Sequence, residues 1–317
     1  MRESRFAAYV DAARNGKNAL WRIVLAIAFI AIVWFAAFLV LLYAGVAIIL
    51  ARKGYWPFGF DEVLEAFDYE ALIAEPIGTV VFLLSIASLW IGVWLVLKLI
   101  HGRSIRDLFG IDRRLYWPDF ARSTIVTLVV GVALGPIALL IDPTVVRGSI
   151  SLSDWVAAVP LLLVALFLQT SAEEVAFRGY LQQVLAVRFA TPIIWLALPA
   201  ALFTLLHWQA DATTAMNLAG LFVVLGVSLS MTWLLMASGN LAAAMGMHFG
   251  NNIGVVMLFS HQPELGAAAL FTGRSILDPN WTVAQAVMFG LYGVLVVGVT
   301  QILLLHRASP VRLRSLP

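Results

Sequence analysis

Eight long apolar runs constrain this chain more than any other feature of its sequence. A helix needs about 20 apolar residues to cross the hydrocarbon core of a bilayer. Because lipid offers no hydrogen-bond partners, runs of this length without two-residue alternation predict helices and not barrel strands. The sequence therefore predicts an all-α polytopic membrane protein with eight transmembrane helices. The predicted spans are roughly 20–50, 77–100, 123–141, 155–188, 191–209, 214–236, 240–260 and 281–305.

Composition supports this class and narrows the possible chemistry. Hydrophobic residues make up 62% of the chain, charged residues 12%, and the mean hydropathy is +0.94. These values lie outside the range of soluble domains. The sequence has no cysteine, which excludes disulfides, thiolate nucleophiles and thiolate metal sites. The first apolar run is far longer than the core of a cleaved signal peptide, so we expect it to remain as a span.

The positive charges predict the orientation of the spans. Of the 20 Lys and Arg residues, fifteen are predicted on the side of the membrane that carries the N-terminus and four on the opposite side, and Arg178 lies within a span. Basic loops favour the cytoplasm, so both termini should be cytoplasmic, as an even number of spans requires. We expect residues 1–19 to form a cytoplasmic or interfacial segment and 20–317 a single membrane domain. The expected location is the bacterial cytoplasmic membrane.

The N-terminal segment carries an apolar stripe among basic residues. Phe6, Tyr9, Val10 and Ala13 recur at helical spacing. This pattern indicates an amphipathic helix at the membrane interface. The alternative is a solvated basic tail that only sets the topology.

A cluster of ionisable residues in span four is the strongest functional signal. Glu173, Glu174 and Arg178 lie within six residues at the end of an apolar stretch. A charged side chain in the bilayer costs on the order of 2.5–3.5 kcal/mol, so such residues normally face a protein interior and mark a functional site. Arg178 lies one turn after Glu174 and can hold that carboxylate ionised. Glu173 lacks such a partner on its own helix, and its surroundings favour protonation, as suits a general base.

Span five offers a partner for Glu173. Spans four and five should form an antiparallel hairpin that turns near Ala190. Glu173 lies seventeen residues before that turn and His207 seventeen after it. Both should therefore lie roughly 25 Å from the turn, at a similar depth. A carboxylate and an imidazole that face each other across a helix pair could polarise a water molecule between them.

Span seven combines a polar face with a glycine face. His248 and Asn252 are one turn apart, and both can donate hydrogen bonds to a developing oxyanion. Gly246, Gly250 and Gly254 form a stripe on nearly the opposite face. Small residues at every fourth position let membrane helices pack backbone to backbone.

Each of these features also has a purely structural interpretation. Glu174 and Arg178 could form a structural ion pair, and an Asn or a single His in a membrane helix often serves interhelical hydrogen bonding. However, the polar residues coincide on three helices, while other spans are nearly free of charge. We therefore expect one common site.

In order along the chain, Glu173-Glu174-xxx-Arg178, Phe203-xxx-His207 and His248-xxx-Asn252 resemble the three signature motifs of the CPBP family. This family comprises the CAAX-processing and bacteriocin-processing (Abi) proteases and includes the Ras-converting type of CAAX endopeptidase. The resemblance covers about a hundred residues of spans four to seven, within an expected catalytic core at 155–260.

The resemblance implies an eight-helix intramembrane endopeptidase. We predict no cofactor, with zinc as the alternative. By analogy, Glu173 and His207 would activate water, while His248 and Asn252 would stabilise the oxyanion. Glu174 and Arg178 would support the site. The implied partner is a membrane-associated protein or peptide, prenylated or of the leader type, in the lipid bilayer, and we expect no nucleic acid.

Other functions remain open at this stage. A zinc-dependent protease could use Glu173, His207 and His248 as ligands, although the adjacent Arg and Asn suit an oxyanion site better. Ser228 and Ser230 lack the setting of a serine nucleophile. A non-catalytic immunity or regulatory scaffold would keep the cluster for folding. A proton-coupled transporter is disfavoured because the polar residues cluster instead of lining a path and no inverted repeat is visible.

Overall fold

The computed structural model describes residues 5–55, 59–65 and 68–316, which form an almost entirely helical protein. The α-helices are α1 (Arg5–Arg14), α2 (Leu20–Arg52), α3 (Phe60–Glu65), α4 (Tyr69–Ile73), α5 (Pro76–Ala87), α6 (Leu89–Val96), α7 (Trp117–Ile141), α8 (Leu152–Glu174), α9 (Gln182–Arg188), α10 (Leu198–Leu205), α11 (Thr214–Ser238), α12 (Ala242–Asn252), α13 (Pro263–Gly266) and α14 (Val283–Leu305). Leu97–His101, Val175–Leu181, Ile193–Ala197 and Ile253–Leu258 are π-helical, and Ile105–Leu108 is a 3-10 helix.

Three two-residue strands form a small sheet that joins two of the loops. The strands are β1 (Val146–Arg147), β2 (Phe259–Ser260) and β3 (Phe271–Thr272), in the order β1-β3-β2. The β1–β3 pair is antiparallel and the β2–β3 pair is parallel. The sheet thereby connects the segment after α7 to the segment before α14.

The predicted class, a polytopic helical membrane protein, is confirmed. Within the described residues, six helical segments are long and apolar enough to cross a membrane. Large apolar side chains on their outer faces are exposed, Leu140 by 83%, as expected of surfaces that contact lipid. The six segments are Leu20–Arg52, Pro76–His101, Trp117–Ile141, Leu152–Arg188, Thr214–Ser238 and Val283–Leu305.

Two of the eight predicted spans are shorter helices in the structure. The fifth is the apolar helix Ile193–Leu205, about 20 Å long at 1.5 Å per residue against a hydrocarbon core of about 30 Å. It ends in a turn that contains His207. The seventh is α12, which continues in π-helical form over Ile253–Leu258. The second of these helices places His248 in the buried interior, while His207 and Asn252 are partly exposed.

The N-terminal helix is docked on the protein. Phe6, Tyr9, Val10 and Ala13, the residues of the predicted stripe, are all buried in α1, which packs against α9 and α11. The Tyr9 hydroxyl donates a hydrogen bond to the carbonyl oxygen of Leu108 at 3.0 Å, and burial raises the pKa of Tyr9. The interpretation as a solvated tail is therefore wrong.

The glycine face of α12 lies against α7. A Cβ atom at Gly246 would overlap the carbonyl oxygen of Phe120, and one at Gly250 would lie 2.5 Å from the carbonyl oxygen of Thr124. The Thr124 hydroxyl also donates to the carbonyl oxygen of Gly246 at 3.1 Å. Gly254 differs, since its Cβ would meet no atom within 4 Å. Two of the three glycines thus permit the close approach that holds His248 on the opposite face.

Candidate active site

The two glutamates lie where the chain changes from α-helical to π-helical geometry. Glu173 and Glu174 are the last residues of α8, and Arg178 lies in the π-helical segment Val175–Leu181 that follows. Short π-helical segments are rare in proteins overall, but they occur often at functional sites. Glu174 is 0% exposed and Arg178 2%, whereas Glu173 is 9% exposed. Glu173 is therefore the more accessible carboxylate.

Arg178 is held by three helices. Its Nη1 lies 3.0 Å from Glu174 Oε1, and its Nη2 donates to the Ser228 hydroxyl of α11 at 2.7 Å. The guanidinium also stacks over the Phe203 ring of α10, 4.3 Å from the ring centroid. A buried charge is tolerated only when it is paired and hydrogen-bonded. Arg178 meets this condition.

His248 bridges the two glutamates. Its Nδ1 lies 2.9 Å from Glu174 Oε1, and its Nε2 lies 3.4 Å from Glu173 Oε2. In the bond to Glu174, the Nδ1–H group of His248 donates and the carboxylate oxygen accepts. Nε2 and Glu173 Oε2 are close enough for an ion pair but form no hydrogen bond, and Glu173 Oε2 is buried without a hydrogen-bond partner among the described residues.

His207 lies at the edge of this cluster with a defined tautomer. Its Nδ1 is 2.8 Å from the carbonyl oxygen of Phe203, which can only accept a hydrogen bond. The proton of the neutral ring is therefore on Nδ1, and Nε2 keeps a free lone pair. The Phe203 ring lies between the two imidazoles, 4.8 Å from His207 and 6.0 Å from His248. Among the described residues no hydrogen bond or ion pair joins His207 to Glu173, so a water-mediated pairing stays a prediction.

Asn252 contacts a residue that sequence reasoning missed. Its Nδ2 donates to Gln169 Oε1 at 3.2 Å, and its Oδ1 accepts from Asn251 Nδ2 at 3.1 Å. Gln169 is buried in α8, one turn before Glu173. The four-residue spacing between Gln169 and Glu173 places both on one face of the helix and could have identified Gln169 from the sequence. Ser228 was considered only as a nucleophile, although its hydroxyl is committed to Arg178.

The metal alternative finds no support in this arrangement. Within the part of the chain that the structure describes, no group of three or more His, Asp or Glu side chains could hold one metal ion. Glu173, His207 and His248 therefore do not form the required set of three ligands. We derive no step through a metal.

The fold and the site define a class of protein: a polytopic helical membrane protein with a buried cluster of Glu, Arg and His side chains around the end of the long helix α8. Residues 155–254 match the model of the Rce1-like family, described as type II CAAX prenyl endopeptidase Rce1-like. All six predicted site residues fall inside this match. The resemblance predicted from the motifs is therefore confirmed for this segment, about a third of the chain.

One curated relative is similar over a greater length. The uncharacterized protein YyaK of Bacillus subtilis (strain 168) is 25% identical over 236 residues, which cover 69% of this chain and 76% of the relative. No solved structure gives a significant match.

Proposed function

We propose that this protein is an intramembrane endopeptidase that hydrolyses a peptide bond of a membrane-associated protein or peptide. The observation that carries the proposal is the bridge of His248 between Glu173 and Glu174, with Arg178 balancing the charge. A structural ion pair would need only Glu174 and Arg178. The contact of His248 with Glu173 adds a second carboxylate, one of whose oxygens has no hydrogen-bond partner and can accept a proton from water, as general base catalysis requires.

The form ready for reaction has an ionised Glu173 and a protonated His248. The Glu173 carboxylate takes a proton from water, and the oxygen of that water bonds to the peptide carbonyl carbon. The lone pair of His207 Nε2 can accept a hydrogen bond from the same water. The carbonyl π electrons move to oxygen, and the C–N bond then breaks as the proton on Glu173 passes to the leaving amine.

The developing oxyanion would receive hydrogen bonds from His248 Nε2 and Asn252 Nδ2. One such donor is worth about 10²–10³ in rate in a site where the donor is already oriented. His248 is held by Glu174 and Asn252 by Gln169, which supports pre-orientation of both. Glu174 and Arg178 then support the site without taking part in proton transfer.

We also propose that the two short helices complete the membrane topology as spans five and seven. Eight spans would leave both termini in the cytoplasm, as the distribution of Lys and Arg predicts. Residues 20–317 would then form one membrane domain, with the catalytic core at 155–260.

Purified protein in lipid nanodiscs would be tested with quenched-fluorophore peptides that end in Cys-aliphatic-aliphatic-X, with and without a farnesyl group on the cysteine. A bacterial membrane proteome would serve as a second substrate source. Glu173→Gln removes the base while keeping its volume, and Glu75→Gln removes an exposed carboxylate outside the site. We expect cleavage by the wild type and by Glu75→Gln but not by Glu173→Gln.

Two outcomes would contradict the proposal, and a third would contradict its metal-free mechanism. If no substrate is cleaved while Glu173→Gln keeps the wild-type phenotype in cells, the cluster belongs to a non-catalytic scaffold. Proton-coupled flux in proteoliposomes would instead favour a transporter. Cleavage that is lost on chelation and restored by zinc would support the metalloprotease.

A further inference from the structure

We infer that Gln169 is a positioning residue that orients the Asn252 side chain for its proposed role as an oxyanion donor; this inference rests on the proposed function. The contact joins two helices, since Gln169 lies on α8 and Asn252 is the last residue of α12. Asn252 Nδ2 donates to Gln169 Oε1 at 3.2 Å. Gln169 also lies one turn before Glu173, so the same helix would hold the base and orient the donor.

The Asn252 amide is constrained from both ends. A primary amide can flip by 180°, which exchanges its oxygen and nitrogen at almost no steric cost. Asn251 Nδ2 donates to Asn252 Oδ1 at 3.1 Å, while Gln169 accepts from Nδ2. In the flipped form, the Asn252 oxygen would face the oxygen of Gln169 and its nitrogen would face the nitrogen of Asn251. Both contacts would be repulsive, so the orientation of Asn252 follows from that of the Gln169 and Asn251 amides.

This orientation leaves the second N–H of Asn252 available to a ligand. Of the two ends of the Asn252 amide, only the N–H group can donate a hydrogen bond to an oxyanion, and an amide oxygen in the same place would repel it. Asn252 is partly exposed, whereas Gln169 is only 4% exposed. The buried residue therefore acts through the accessible one.

The test uses Gln169→Met, which keeps the length of the side chain but removes the hydrogen-bond acceptor. Thr170→Val is the matched control, because Thr170 is the next residue, is fully buried, and its hydroxyl bonds only to carbonyl oxygens of its own helix. With a peptide cleaved by the wild type, we expect Gln169→Met to lower kcat about 10- to 100-fold with little change in KM, and Thr170→Val to leave both unchanged.

A double-mutant cycle separates positioning from a direct contribution of Gln169. In an Asn252→Ala background, Gln169→Met should have no further effect on kcat, because the group that it orients is absent. Equal effects in both backgrounds would overturn the inference and would indicate that Gln169 acts on the substrate itself. Full activity of Gln169→Met would overturn it as well, while leaving the proposed protease intact.

A measurement that does not depend on cleavage keeps the inference testable if no substrate is found. Protein labelled with ¹⁵N-asparagine reports the side-chain amide of Asn252, which is assigned by its disappearance in Asn252→Ala. We expect Gln169→Met to shift and broaden this signal, and Thr170→Val to leave it in place. An unchanged signal in Gln169→Met would overturn the inference whatever the fate of the proposed function.

Discussion

His248 Nδ1 lies 2.9 Å from the same oxygen of Glu174 that receives Arg178 Nη1 at 3.0 Å. One carboxylate oxygen thus anchors both a cation from its own helix and an imidazole from α12. This shared acceptor orients His248 so that its other nitrogen faces Glu173. The two neighbouring glutamates consequently have different tasks, and variants at the two positions should fail differently.

Glu174→Gln should lower the stability of the folded protein, whereas Glu173→Gln should leave it nearly unchanged. Removing the Glu174 charge leaves Arg178 buried without an ionic partner, which costs about 3–5 kcal/mol when a buried pair is broken. Glu173 forms no ion pair with Arg178, so Glu173→Gln leaves the Glu174–Arg178 pair intact and should fold normally. Thermal unfolding in nanodiscs measures both variants. Equal losses of stability would contradict the division of tasks.

Ser228→Ala should weaken the support of Arg178. A hydrogen bond to a charged group contributes about 1.5–3 kcal/mol, more than a bond between neutral groups. Ser230→Ala is the control, because Ser230 lies on the same helix and bonds to neutral partners, Gln301 and Met247. We expect a larger drop in Tm for Ser228→Ala than for Ser230→Ala. The reverse order would show that Arg178 does not need the hydroxyl.

Gly246→Ala should destabilise the protein, and Gly254→Ala should not. The added methyl group at Gly246 meets the backbone of α7 at Phe120, which cannot move aside without separating the two helices. Overpacking of this kind costs typically about 1–3 kcal/mol. A methyl group at Gly254 meets no atom within 4 Å. Comparable unfolding temperatures for the two variants would contradict the observed packing of α12 on α7.

Asp142, which lies just after the membrane-spanning helix α7, should make the stability of the protein fall at acid pH. Burial opposes ionisation of this carboxyl, but hydrogen bonds from Thr144 and from the Arg274 backbone outweigh it and lower its pKa. A lowered folded-state pKa contributes stability that is present above the unfolded value, about 3.9, and that is lost as the pH falls through the folded value.

The measurement compares Tm between pH 7 and 3 in a His261→Gln background, because His261 lies 3.5 Å from Asp142 and is charged when protonated. The Tm advantage of His261→Gln over His261→Gln/Asp142→Asn should shrink as the pH falls below about 5. A constant difference across this range would show that the ionised carboxylate is not what holds the loop.

Part of the site follows from helical spacing, and part does not. The pair Glu174–Arg178 was predictable because residues four apart in a helix lie on one face. The π-helical segment after Glu174 was not, and Gln182, which the same spacing places on that face, has no hydrogen bond in the structure. The bridge of His248 to both glutamates depends on how α12 packs across α8, which no spacing within one helix encodes.

The sequence by itself determined the class of the protein, its helical membrane-spanning segments, the residues that gather polarity within them and the glycine face of α12. These properties follow from hydropathy and from the period of the helix, which are local. Only the tertiary structure decided that the helices at predicted spans five and seven are short. It also decided that His248 contacts the glutamates while His207 bonds to Phe203, and that Gln169 and Ser228 complete the contacts. Such partners lie up to about eighty residues apart in the chain, so only the packing of whole helices brings their atoms within hydrogen-bond distance.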